Sequence, residues 1–295
     1  MVERNWKMGA AIVLTVLVVV GVGRFAYLGQ LQEHRFQLMS QCSAGGSVGI
    51  KSCTELIKYE PDNATAYSQR AFAHQVSGEH QRAISDYENA LRVQPNHVFS
   101  LLNRGRLYGE LKQYEPAIRD FSTVITMPLS EGFSTQEYRQ DASRGRAEAY
   151  EALGKYKLAI ADYTKLIQHD PEAGWIAETR GRLYYKAGHY GKAVKDFTAL
   201  LRGSPNSSFY LFGRGQAYYK KKDYQRAITD FNRVIEIAPR HIAAILYRAD
   251  IFAATGQKGE AIVELQKAVA LDPSFHPARR MLKRLKSEVS AAPKF

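Results

Sequence analysis

Residues Gly213–Pro239, GRGQAYYKKKDYQRAITDFNRVIEIAP, decide the fold. Gly215 and Tyr218 fall on one face of a helix that runs into a polar turn at Lys222-Asp223. A second helix carries Ala227, Phe231 and Ile235 at helical intervals, and Pro239 stops it. The same pattern returns along most of the chain. Pro61, Pro95, Pro128, Pro171, Pro205, Pro239 and Pro273 are spaced by 34, 33, 43, 34, 34 and 34 residues. A fixed period of this size marks a solenoid, in which no unit holds a core alone and each finds one by stacking on its neighbours. Units therefore run 64–97, 98–131, 140–173, 174–207, 208–241 and 242–275, interrupted by an insertion at 132–139.

The columns have physical reasons. Ala71, Gly105, Ala147, Gly181, Gly215 and Ala249 keep the first helix of each hairpin small where a neighbour approaches. Ala83, Ala117, Ala159, Ala193, Ala227 and Ala261 do the same on the second helix. Rings fill the space beside them: Tyr108, Tyr150, Tyr184 and Tyr218 from first helices, Tyr87, Phe121, Tyr163, Phe197 and Phe231 from second helices. Each proline ends a second helix, and an Asn or Ser often follows to start the next.

Tyr218, Ala227, Phe231 and Pro239 sit where the tetratricopeptide repeat has its signature residues, and the chain resembles that family from about Ala64 to Phe275. Departures are local: His74 stands in for a first-helix ring, Lys112 and Lys222 replace the turn glycine, and Pro128 falls one residue early. The resemblance implies an all-α, right-handed solenoid of helix hairpins whose first helices line an inner curve. Positions not used in packing would point into that curve: Phe99, Leu102, Arg106, Arg144, Trp175, Arg182, Tyr185, Phe209, Phe212, Tyr219 and Lys220. Rings beside guanidinium groups are the residue types enriched at binding hot spots. They suggest a groove for an extended peptide or helix with acidic and apolar side chains, unless several of the rings pack sideways. The chaperone-tail subclass of the family needs a Lys, Asn and Arg set around a carboxylate. Only Asn103 matches; Ser68 and Phe72 occupy the preceding unit's Lys and Asn positions, which disfavours that ligand.

Every unit also has an arginine (Arg70, Arg104, Arg146, Arg180, Arg214, Arg248) followed sixteen residues later by an acid (Asp86, Asp120, Asp162, Asp196, Asp230, Glu264). Equidistant from the turn, the two reach one height on antiparallel helices. This reads as a ladder of ion pairs within or between hairpins, each contributing about 0–1 kcal/mol if exposed. The rival reading is a stripe of phosphate-reading arginines.

Ahead of the repeats, Met8–Gly23 is a sixteen-residue run without charge. Extended by Trp6, Phe25, Tyr27 and Leu28, it suggests a single transmembrane helix over 1–28, with a cleaved leader as the alternative. Arg4 and Lys7 place its start in the cytoplasm by the positive-inside rule, so the body is expected outside, in a periplasm. Residues 29–63 read as a half-repeat hairpin around the turn at 44–49. Cys42 and Cys53 flank that turn at matching heights and could form a disulfide, or pack as two buried thiols. Within the insertion, Ser134 and Glu137 have the spacing of a capping box; the first helix of the next unit is expected to extend backwards, with a functional loop as the alternative. After the last unit, 276–295 reads as a capping helix and tail. Ala278, Met281, Leu282, Leu285 and Val289 form its apolar stripe. Arg279, Arg280, Lys283, Arg284 and Lys286 lie opposite, as a solvated face or a docking patch for an acidic partner.

Nothing in the pattern performs chemistry. The eight histidines have no trusted metal spacing, no glycine loop cradles phosphate, and no serine sits in a nucleophile elbow; neither a cofactor nor a small-molecule substrate is expected. The formal charge of +12 favours acidic partners. The expectation is a membrane-anchored scaffold that binds protein partners. The alternatives are a cytosol-facing receptor or co-chaperone and a basic solenoid that binds nucleic acid.

Overall fold

The structure, a computed structural model, describes residues 30–128, 133–171 and 173–291. These form helices and turns, with no strand among the described residues. The described part of α1 spans 30–42. It is followed by α2 (Gly46–Tyr59), α3 (Ala64–Val76), α4 (His80–Val93), α5 (Val98–Glu110), α6 (Tyr114–Thr126) and α7 (Phe133–Ala152). Then come α8 (Tyr156–His169), α9 (Gly174–Lys186), α10 (Tyr190–Gly203), α11 (Ser208–Lys220), α12 (Tyr224–Ile237), α13 (Ile242–Ala254), α14 (Lys258–Leu271) and α15 (His276–Ala291). The chain divides into two compact units, one ending at Gly145 and the other starting at Arg146. In each, consecutive helices pack pairwise as antiparallel hairpins and consecutive hairpins stack.

The prolines act through the residue before them. Glu60, Gln94, Asp170, Ser204, Ala238 and Asp272 all leave the helical region, with φ between −132° and −144°. The proline ring disfavours helical geometry at the preceding residue, so each second helix stops there. Two residues after the proline lies the next N-cap. Asn63 and Ser207 accept a backbone N–H with their side-chain oxygens, as expected of those residue types. His97 and His241 do the same with Nδ1, so two histidines that seemed scattered belong to this column. Within hairpins, the second residue after the first helix adopts positive φ: Gly78 (78°), Gly154 (69°), Gly188 (79°) and Gly256 (84°), but also Lys112 (59°) and Lys222 (61°).

The core is a row of second-helix rings, each set between two first helices. Phe197 is 1% exposed. It lies between the backbones of Gly181 on α9 and Gly213 on α11, where added Cβ atoms would come within 3.3 Å and 2.7 Å of the ring. Phe121 lies likewise between Gly105 and Gly145. Where the ring is Tyr87 or Tyr163, the own-hairpin position is alanine (Ala71, Ala147) and the next hairpin supplies Asn103 or Thr179. At Phe231 the own-hairpin position is again glycine (Gly215), but the next hairpin supplies Tyr247.

The sixteen-residue ion pairs lie inside each hairpin. In five of them both guanidinium nitrogens Nε and Nη2 donate to both oxygens of the aspartate at 2.6–2.9 Å. Arg248 donates to Glu264. The acids are only 3–8% exposed, so the condition attached to the small energy does not hold: these are buried, bidentate contacts. The free arm, Nη1, reaches back sixteen residues to the preceding hairpin: Arg70 to Thr54 (3.1 Å), Arg180 to Thr164 (3.3 Å), Arg214 to Thr198 (3.4 Å) and Arg248 to Asn232 (2.7 Å). Each such arginine ties its own hairpin shut and clips it to the one before. The guanidinium groups of Arg104, Arg146, Arg180 and Arg214 also lie over Tyr108, Tyr150, Tyr184 and Tyr218. In the first repeat His74 replaces that tyrosine, and Arg70 lies over Tyr67.

At the N-terminal end of the described chain, Cys42 and Cys53 are joined in a disulfide with Cα atoms 4.8 Å apart. Helix α7 begins at Phe133, so most of the insertion lengthens this helix to 20 residues. The expected anchor falls on 1–28, outside the described residues. Among the described residues no helix is long and apolar enough to cross a membrane, and the longest, FSTQEYRQDASRGRAEAYEA, is charged throughout. This overturns the placement as a single-pass membrane protein with an outward-facing body: the described helices are amphipathic and spend their apolar sides on one another.

Candidate functional site

In the second unit, the first helices α9, α11 and α13 lie side by side and present a band of rings. Its centre is Tyr247 on α13, a residue the sequence reading did not single out. The Tyr247 ring stacks on Phe231 at 5.3 Å and 16° and meets Phe212 edge-on at 5.8 Å. It also meets Tyr219 at 5.1 Å and takes a hydrogen bond from Gln216 Nε2 at 3.1 Å. Tyr185 on α9 packs its ring against Tyr190 at 5.6 Å, with Tyr247 as an electrostatic neighbour. Tyr219 donates its hydroxyl to Asp250. Burial, then the Tyr247 neighbour, holds the Tyr185 phenol above its ordinary pKa. Burial, then Asp250, does the same for Tyr219. Both phenols are neutral at physiological pH, as an ordinary tyrosine is, and Tyr219 is the donor in its contact with Asp250.

The expected site residues divide by this geometry. Tyr185, Phe212 and Tyr219 are half-buried members of the band; Phe212 also meets His241 at a tilt, with ring centroids 4.6 Å apart. Trp175 and Phe209 stand at the starts of α9 and α11, 47% and 51% exposed. Arg182 and Lys186 face Glu151 at 3.8 Å and 2.9 Å, and Lys220 lies over the Tyr219 ring.

In the first unit, Phe99 on α5 meets Phe72 on α3 edge-on, with both rings nearly half exposed. Arg106 donates to Asn103 at 3.2 Å and to Asp141 at 3.0 Å, and Arg144 pairs with the same carboxylate. Leu102 is a correction. At 4% exposed it belongs to the core around Phe121 and Val124, where a purely apolar side chain gains more than it would facing water.

Phe72, Gln216 and Asp250 were missed although they share a column with Arg106 and Arg182, two residues after the ladder arginine. That offset was the available signal. Tyr247 shares its column with Gly213 and Gly145, where small residues make room for a ring; its own size hid its role. Among the described residues there is no group of His, Cys, Asp and Glu that could hold a metal ion.

Comparison with known proteins agrees with this architecture. Tetratricopeptide repeat family models match residues 100–129, 141–173, 179–242 and 218–285, together more than half of the chain. The chain is 30% identical over 133 residues to Tetratricopeptide repeat protein 13 of Homo sapiens, which is 43% of this chain and 14% of that protein. It is 27% identical over 84 residues to the Protein SGT1 homolog of Homo sapiens, 28% of this chain and 23% of that one. The matched stretches thus span less than a quarter of either relative. Among solved structures, the C-terminal part of a TPR repeat-containing protein from Cytophaga hutchinsonii aligns with a TM-score of 0.63 at 18% identity, covering 84% of this chain and 98% of that one. A tetratricopeptide repeat protein from Parabacteroides merdae aligns with a TM-score of 0.51 at 20% identity, covering 86% and 99%. At such identities the likeness shows the fold alone. With the repeat-by-repeat ladder, the glycine-flanked rings and these family matches together, the chain belongs to the tetratricopeptide repeat family.

Proposed function

We propose that this chain is a protein-interaction scaffold that holds an extended or helical segment of a partner protein against its first-helix faces. The observation that carries the proposal is the band on α9, α11 and α13. Phe212, Tyr219 and Tyr247 are braced by ring contacts with one another and with Phe231, and Tyr247 and Tyr219 by hydrogen bonds with Gln216 and Asp250, while Tyr185 lies on the neighbouring helix and Trp175 and Phe209 stand exposed. Aromatic rings already fixed in place lose little conformational freedom on binding, and such anchors dominate interface energies. Arg182 and Lys186 on α9 and Lys220 on α11 supply exposed cations on the same helices, so a segment with apolar and acidic side chains suits the face. The Phe72–Phe99 pair beside Arg106 offers the same combination in the first unit. An arginine stripe reading phosphate is disfavoured, because the ladder arginines are committed to buried carboxylates.

Site-specific photo-crosslinking tests this. A benzophenone amino acid replaces Phe209 on the first-helix face or Val263, which is 49% exposed on a second helix. Adducts with the same partner from Phe209 and not from Val263 support the reading, and Trp175→Ala/Tyr219→Ala should abolish them. Adducts only from Val263 would place binding on the other face.

A further inference from the structure

Helix α15 has two unlike sides. Ala278 and Leu285 are buried, and with Met281 and Leu282 they seal the last apolar surface of α13 and α14. The remaining surface carries Arg279, Arg280, Lys283, Arg284 and Lys286, all exposed, with Glu288 as the helix's one acid. Arg284 shares that carboxylate with Lys258 of α14. Arg279, Arg280, Lys283 and Lys286 have no ion-pair partner among the described residues, whereas many cations elsewhere in this unit do.

We infer that the exposed side of α15 is a second docking surface, separate from the first-helix face, for an acidic segment of a protein partner. The chain itself shows what these cations accept. The Glu288 carboxylate sits between Lys258 Nζ at 2.9 Å and Arg284 Nε at 3.7 Å, one cation from each of the last two helices. Three of the five cations are arginines, whose planar fork takes a carboxylate through two parallel hydrogen bonds. The neighbouring unpaired groups extend that arrangement along the helix. Arg279 and Lys283, like Arg280 and Arg284, are four residues apart, so each pair rises about 6 Å on one side, the spacing of carboxylates one turn apart on an acidic helix.

Two other anionic surfaces fit less well. A bilayer would require an apolar side free to enter it, and that side of α15 is spent on α14. A nucleic acid would meet a row only about 10 Å long, roughly three phosphates of one strand. The row also carries no ring or amide with which to stack on or read a base.

The test uses the full chain and a labelled, end-blocked peptide of about ten glutamates, followed by fluorescence anisotropy at about 50 and 150 mM salt. Arg280→Glu/Lys283→Glu should weaken binding by at least about ten-fold. Lys221→Glu/Lys222→Glu changes the net charge equally at a distant turn and should leave affinity within about two-fold. The milder Arg280→Gln/Lys283→Gln, checked for unchanged helicity, must weaken binding in the same direction. Equal losses in both reversal variants would reduce the effect to net charge and overturn the inference. So would absence of peptide binding, or tighter α15-dependent binding to a DNA duplex of about 20 base pairs or to phosphatidylserine vesicles.

Discussion

The rings between paired glycines give a prediction with a sign as well as a size. In Gly213→Ala the new Cβ would stand 2.7 Å from Phe197 Cζ and 2.9 Å from Cε1. Phe197 has little room to retreat: it is 1% exposed, with the backbone of Gly181 on its other flank. In Gly191→Ala, on α10, the added methyl meets nothing within 4 Å. Both substitutions gain up to about 1 kcal/mol of helix propensity. Only the first also overpacks a core, at a cost of about 1–3 kcal/mol. Gly191→Ala should therefore be neutral to stabilising and Gly213→Ala neutral to about 2 kcal/mol destabilising, with the difference between them measuring the collision. Urea denaturation followed by circular dichroism reads this, with hydrogen exchange in α10 and α11 to localise the change, because repeat arrays need not unfold in one step. Phe197→Leu should cost less in the Gly213→Ala background than in the parent, by more than about 0.5 kcal/mol. Equal effects of the two alanines, or strict additivity with Phe197→Leu, would show that the glycines are not there for the ring.

Three further outcomes follow from the same geometry. Arg214→Met strands the Asp230 carboxylate, 3% exposed, and should cost about 3–5 kcal/mol, whereas Arg214→Met/Asp230→Leu should recover most of that in thermal denaturation. Lys222→Gly relieves a left-handed backbone at φ 61° and should stabilise by about 0.5–1 kcal/mol, visible as a higher urea midpoint; Gly256→Ala, at φ 84°, should do the reverse. Burial holds the His97 imidazole below its ordinary pKa. Its stability contribution is therefore complete above the unfolded value of about 6.5 and is lost as pH falls from there toward the folded value, by up to about 1.4 kcal/mol per pH unit. His97→Asn keeps the N-cap and should flatten that part of the pH–stability profile.

The division between what was readable and what was not follows distance along the chain. The period, the prolines and the small and aromatic columns were legible because a helical hairpin writes its own packing into residues three, four and sixteen apart. The ladder pairs were legible as pairs. Their burial was not, since exposure depends on the neighbouring hairpin. The backward clip from Arg214 to Thr198 was hidden for the same reason: it joins two units. The candidate site was half readable. Tyr185, Phe212 and Tyr219 could be named from column positions, but their meeting at Tyr247 depends on how three successive first helices sit against each other. Leu102 was misplaced because a column position fixes direction only to within the freedom of a side chain to fold toward a core.

By itself, then, the sequence determined the repeat, the prolines that end second helices and the identity of the packing columns, because these depend on local backbone preferences and on a period that neighbouring units share. Tertiary structure alone decided which rings remain in solvent, which arginines are spent on buried carboxylates, and which cations on α15 have no ion-pair partner among the described residues. Those outcomes are set by atoms brought together from different hairpins, and a one-dimensional pattern carries no measure of that approach.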